Sequence, residues 1–165
     1  MQERETTVSK RTTRRIGYGV AIAVNAAMLV VVNNILDWGW LGWLTEDFND
    51  VIPLISFSLA ASIVANVAYI ANDRPFFKGI LELVVNTISL IATIRLLQVF
   101  PFDFSTYSSV WETATRSILI VAIVGISVAL LVELVKLVLI VVRVAGDAQE
   151  VFGRENPPAE QGDSS

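Results

Sequence analysis

Hydrophobic residues run almost unbroken through residues 16–36, 51–71, 79–99 and 118–142. At ~1.5 Å per helical residue, each run is long enough to cross a hydrocarbon core about 30 Å thick. The third run, GILELVVNTISLIATIRLLQV, shows how they are organised. With about 100° between successive side chains, Glu82, Asn86, Ser89 and Thr93 fall on one narrow helix face and the rest of the surface is apolar. A membrane helix with a polar seam needs neighbours to cover it, and the other three runs supply them. The pattern predicts an all-α polytopic membrane protein, a four-transmembrane-helix antiparallel bundle.

The other runs carry faces of their own. In the second, Ser58, Ser62, Asn66 and Tyr69 recur at helical spacing beside the small residues Ala61, Ala65 and Ala68. In the first, Gly19, Ala23 and Ala26 share a face; in the fourth, Thr115, Ala122, Gly125, Ala129, Glu133, Lys136 and Arg143 do so. Small residues let helix backbones approach closely in lipid, where packing drives association, so these strips are predicted packing surfaces.

The connections predict where the helices begin and end. Residues 37–50, DWGWLGWLTEDFND, hold three tryptophans and four acids but no Lys or Arg, as suits an interfacial loop. Trp40, Trp43, Leu44 and Phe48 are spaced to make one apolar face of a short helix lying on the membrane. Asp50 is the expected N-cap of the second helix, with Pro53 in its first turn; Asp73 and Pro75 play the same parts for the third. Phe100-Pro101 ends the third helix, and Ser109 with Glu112 has the spacing of a capping box that starts the fourth near Val110. The shortness of the second connection makes helices two and three antiparallel neighbours.

The two flanks differ from the transmembrane domain, residues 16–146. Residues 1–15 form a basic tail and residues 147–165 an acidic tail rich in Pro and Gly, both too polar to bury much surface and so expected to be disordered. Arg4, Lys10, Arg11, Arg14 and Arg15 precede the first run, Arg74 and Lys78 lie in the second connection, and Arg143 and Arg154 follow the fourth run. The first connection has no basic residue and the third has only Arg116. Positive charge stays on the cytoplasmic side, so the expected location is a plasma or cytoplasmic membrane with both termini in the cytoplasm.

Composition narrows the chemistry. The chain of 165 residues is 54% hydrophobic and 17% charged, which suits a bilayer rather than water. Without cysteine there are no disulfides, thiolate metal sites or iron–sulfur clusters; without histidine the commonest general base and metal ligand is missing. A net charge of −4 argues against nucleic acid as a partner. No phosphate-binding, dinucleotide-binding, metalloprotease or nucleophile-elbow motif occurs, so no catalytic residue, metal site or cofactor is assigned and a non-enzyme is expected.

Charges inside hydrocarbon are costly and usually face protein or water, which makes the ionisable groups of the runs the candidate site. In antiparallel helices, Glu82 near the start of the third run lies level with Glu133 and Lys136 near the end of the fourth, and with Asn66, Tyr69 and Tyr18. The candidate buried polar cluster is Glu82, Asn86, Asn66, Tyr69, Glu133 and Lys136. Lys136 is the expected partner of Glu82, and a Glu133–Lys136 pair along one helix is the alternative. Arg95, on the opposite side of the third helix, is a candidate outer-side ion pair with Asp37, Asp103 or Glu112. The preferred reading is a non-enzymatic accessory or structural membrane subunit whose partners are the lipid bilayer and either a second copy or another membrane protein. The alternative is a small oligomeric transporter or channel that uses the cluster for proton or ion coupling.

Overall fold

Four long helices carry the chain, and the residues flanking each apolar run decide how far it continues. A computed structural model describes residues 2–72 and 74–155, with side chains described for residues 12–72 and 74–147. The helices are α1 (Gln2–Trp38), α2 (Ile52–Ala71), α3 (Pro75–Val99) and α4 (Ser109–Glu155), with one 3-10 turn at Glu46–Asp50. Within them Thr12–Trp38, Ile52–Ala71, Pro75–Val99 and Ser109–Asp147 are long and apolar enough to cross a membrane. The backbone of residues 2–15 and 147–155, where low hydrophobicity predicts disorder, continues α1 and α4. Extending an existing helix adds a hydrogen bond per residue without a new nucleation cost.

Proline marks the starts. Pro53 and Pro75 each sit in a first turn, where the missing N–H has no intrahelical partner to lose. Two predicted caps are replaced. Val51, not Asp50, precedes α2 and no side chain caps it; Asp50 closes the 3-10 turn, and the Val51 N–H donates to Phe48 O at 3.0 Å. The reason is burial, since Val51 is fully enclosed and pulls the chain inward at that point. At α4 the capping box of Ser109 and Glu112 does not form. Ser108 Oγ accepts the Val110 N–H at 3.4 Å, while Glu112 pairs with Arg116 at 3.1 Å one turn on. Asp73 lies outside the described residues. α3 ends at Phe100, whose left-handed φ of 43° and N–H bond to Leu96 O at 2.9 Å terminate the helix before Pro101.

Packing follows chain order: α1 on α2, α2 on α3 and α3 on α4, with no comparable packing between α1 and α4 among the described residues. The antiparallel four-helix bundle is therefore open on one side, and α4 is held along a single line. That line is Leu119, Ile123, Ile126, Leu130, Glu133, Leu137 and Ile140, all buried or half-buried at a 3.5-residue repeat. The predicted small-residue face of α4 is used only in part: Thr115 and Ala122 are half-buried and Glu133 is buried, but Gly125 and Ala129 are exposed. Branched aliphatic side chains fill the groove of α3 and make more contacts than glycine or alanine can. The strip Gly19, Ala23 and Ala26 on α1 is likewise exposed.

The best-enclosed core lies at the tryptophan-rich end, where the ends of α1, α2 and α3 close on the first connection. Val32, Phe48 and Val51 are buried there, with Leu36, Leu44, Ile55, Leu96 and Val99 packed around them. The first and third connections meet in a short antiparallel bridge at Leu44 and Phe102, where Thr45 N–H donates to Pro101 O at 3.0 Å and Asp103 N–H to Trp43 O at 2.8 Å. The predicted surface helix of Trp40, Trp43, Leu44 and Phe48 is thus replaced. Phe48 turns inward, Trp40 stacks on Trp38 at 4.8 Å, and Trp43 packs between Phe102 and Phe104 at 5.7 and 5.8 Å. All four tryptophans lie at this end, Trp111 sharing an aromatic cleft with Trp43.

Large apolar side chains cover the outside of every helix, among them Val20 and Val24, Phe57 and Val64, Val84 and Ile91, and Val121 and Leu131. A soluble monomer rarely exposes a contiguous apolar patch above about 300–600 Å². Here the apolar residues ring the bundle, and lipid is the solvent that accepts them. Backbone donors and acceptors in the spans are satisfied by the helices themselves. Asn25, Asn33 and Asn34 each return a side-chain N–H to the carbonyl four residues earlier, at 2.8 Å in all three cases, so the amides do not face lipid unpaired.

Candidate functional site

Lys78, one turn into α3, is the centre of the polar cluster. Because Pro75 starts the helix, Lys78 stands four residues before Glu82 on the same face, and Nζ lies 3.4 Å from Glu82 Oε1. The ammonium also sits 5.5 Å above the Tyr18 ring and 5.6 Å above that of Tyr69, near enough for cation–π attraction. The two tyrosine rings are 5.4 Å apart and tilted by 56°, joining α1 to α2. Three helices therefore meet around one lysine. The Lys78 and Glu82 side chains are each about one-third exposed, at 35% and 33%.

Lys136 is not the partner of Glu82. Its Nζ donates to Glu133 Oε2 at 3.1 Å, three residues back on α4, which is the second of the two pairings the sequence allows. Glu133 is buried, whereas the Lys136 side chain is 60% exposed and extends away from the bundle. Glu133 is buried because Gly79 lets α4 approach α3. A β-carbon placed on Gly79 would lie 3.0 Å from Glu133 Oε1 and 2.8 Å from Leu137 Cδ2. Each acid is thus matched by a lysine on its own helix, the arrangement that most reduces the cost of charge in a membrane.

The remaining candidates divide. Tyr69 belongs to the cluster, with Glu82 and Glu133 both within electrostatic range of its hydroxyl. Asn66 does not: its Nδ2 donates to Ser62 O at 2.7 Å within α2. Asn86 is half-buried and its side chain makes no hydrogen bond among the described residues. Further along the same α3 face, Ser89 Oγ lies 2.9 Å from Ser58 Oγ and ties the seam to α2. Asn33 similarly reaches Ser56 Oγ at 2.8 Å between α1 and α2. The seam of Glu82, Asn86, Ser89 and Thr93 is turned toward the bundle, each residue being half-buried.

Arg95 is exposed and, among the described residues, forms no ion pair with Asp37, Asp103 or Glu112. It borders a shallow cleft with Asp50, Leu54 and Gln98. Glu112 is engaged by Arg116, whose guanidinium also lies 3.8 Å above the Phe100 ring. Asp103 accepts the Ser105 N–H at 2.8 Å, and that bond holds its carboxyl below the usual carboxylate range. Sequence reasoning missed Lys78 and Gly79. The four-residue spacing to Glu82 was a readable signal for the first, but nothing in the sequence marks Gly79 as the point where α4 arrives.

Taken together, four apolar helices and a polar seam at their contacts define a multi-pass α-helical membrane protein. No protein family, curated protein or solved structure matches the chain.

Proposed function

We propose that the protein is a non-enzymatic membrane subunit that assembles, through the faces its own bundle leaves open, with a second copy or another membrane protein. The carrying observation is on α4. Gly125 and Ala129 face outward, and a β-carbon built on Gly125 has no heavy atom within 4 Å. α1 repeats it, since Gly19 is equally open. Small residues at lipid-facing positions contribute little burial but permit close backbone approach by another helix. The matched Glu82–Lys78 and Glu133–Lys136 pairs support a structural part for the cluster, because neither carboxyl is left without a base. The basic residues Arg14, Arg15, Arg74 and Lys78 share one end of the bundle, and the positive-inside rule supports reading that end, with both termini, as the cytoplasmic side of a plasma or cytoplasmic membrane.

The test is assembly in native membranes. Affinity purification of the full chain in mild detergent is expected to recover a homo-oligomer or a stoichiometric membrane partner. Gly125→Leu is expected to abolish that assembly while leaving the thermal stability of the single chain unchanged. Recovery of a monomer alone, or assembly that survives both Gly125→Leu and Ala129→Leu, overturns the reading.

A further inference from the structure

Between the inner ends of α1 and α2 lies a pocket of about 320 Å³ lined by Arg14, Arg15, Tyr18, Tyr69, Ile70 and Arg74. Three guanidinium-bearing residues from two separate segments border one concavity, two from consecutive positions on α1 and one from the turn that precedes α3. The volume is at the small end of ligand sites, which run from about 300 to 1,000 Å³, and suits a phosphate ester rather than a larger molecule. Arginine presents a planar fork of donors that matches phosphate oxygens two at a time. Tyr18 and Tyr69 form the pocket's inner wall. Behind them, Lys78 lies over both rings and neutralises Glu82, the nearby acid on α3, so the positive charge of the pocket comes from its three arginines.

Depth supports the same chemistry. Arg14 and Arg15 immediately precede the first apolar run and Arg74 immediately precedes Pro75, so all three stand where the spans leave hydrocarbon. Phospholipid phosphates occupy that level. Ile70 at the pocket's rim and Val67, one turn further along α2, are exposed and offer an apolar surface for an acyl chain. We propose that this pocket binds the phosphate of an anionic ligand presented at this end of the protein. A lipid headgroup and a soluble phosphate share the chemistry, and the experiment separates them.

The full chain in neutral detergent is titrated with phosphatidylglycerol, with phosphatidylcholine of the same chain length and with inorganic phosphate, and bound species are counted by native mass spectrometry. Retention of phosphatidylglycerol is expected to exceed that of phosphatidylcholine by about tenfold. Arg74→Gln should lower it roughly fivefold, and Arg15→Gln with Arg74→Gln roughly twenty-five-fold. Arg74→Lys, which keeps the charge but not the fork, should fall between wild type and Arg74→Gln. Arg143→Gln, on α4 and outside the pocket, should leave retention unchanged. Failure of inorganic phosphate to displace the lipid identifies a headgroup site; displacement at comparable concentration identifies a soluble phosphate, and either result upholds the pocket. Equal retention of the two lipids, no loss in the Arg15→Gln/Arg74→Gln protein, or an equal loss from Arg143→Gln overturns it.

Discussion

Gly79 of α3 stands directly against Glu133 of α4: a β-carbon at position 79 would lie 3.0 Å from Glu133 Oε1 and closer still, at 2.8 Å, to Leu137 Cδ2. This close approach is what buries Glu133, and among the described residues α4 has no comparable packing on α1 to hold it elsewhere. Gly79→Ala should therefore weaken the α3–α4 contact. The atoms a β-carbon would meet are side-chain atoms of Leu137 and Glu133 that can shift, so the loss from Gly79→Ala should be small, within about 1 kcal/mol after the helix-propensity gain, and Gly79→Leu should lose more, about 1–3 kcal/mol. Gly125→Ala, facing open space, should be neutral or slightly stabilising in the single chain. Thermal unfolding of the three variants in one detergent checks the order.

Glu82 and Lys78 should behave as a unit. Removing one partner leaves a charge unmatched at the edge of the membrane, so Lys78→Met is expected to destabilise more than Lys78→Met with Glu82→Gln. The single loss should stay below the about 3–5 kcal/mol typical of a fully buried pair, since both side chains are one-third exposed. A double-mutant cycle measures the coupling. A cycle between Glu82 and Lys136 should give none.

Ser58 and Ser89 offer a smaller but cleaner contact across α2 and α3. Interhelical hydrogen bonds in membranes average about 0.6 kcal/mol and reach about 1.7 kcal/mol. The coupling between Ser58→Ala and Ser89→Ala is expected in that range, with Thr87→Ala, whose hydroxyl bonds Leu83 O on its own helix, uncoupled to Ser58. Equilibrium unfolding in mixed detergent reads both cycles.

Asp103 gives the loop contact a pH signature. The Ser105 N–H favours the ionised carboxyl, so its titration in the folded protein is displaced below the about 3.9 of an unperturbed aspartate. A depressed folded value means the stabilisation is complete above the unfolded value and is lost as pH falls through the folded one. Carbon-detected NMR of the Asp103 carboxyl should show the lowered midpoint, and Asp103→Asn should remove the acid-dependent opening of the turn at Ser105.

The sequence by itself determined the number and type of the helices and the ends that proline marks. The length of each apolar run sets what spans a bilayer, and Pro53, Pro75 and Phe100-Pro101 act on the backbone locally, whatever surrounds them. It also determined which side of α3 is polar, because helical period is a property of one chain segment; Ser89 and Glu82 both lie on the face the pattern marks. The spacing of Lys78 and Glu82 was equally local: with Pro75 in the first turn, the two already stand four residues apart on one face of the helix.

Tertiary structure decided the rest. Whether Glu82 meets Lys136 depends on how α4 is rotated about its own axis, and that rotation is set by Leu119, Ile126, Leu130 and Leu137 settling on α3, with Gly79 admitting Glu133. The same rotation turns Gly125 and Ala129 outward. Phe48 goes inward because Val32 of α1 and Leu96 and Val99 of α3 close a core around it and Val51, from segments distant in the chain. Period and length are fixed by bonds between near neighbours, whereas rotation and loop pairing depend on shape complementarity between surfaces far apart in sequence, which no single segment encodes.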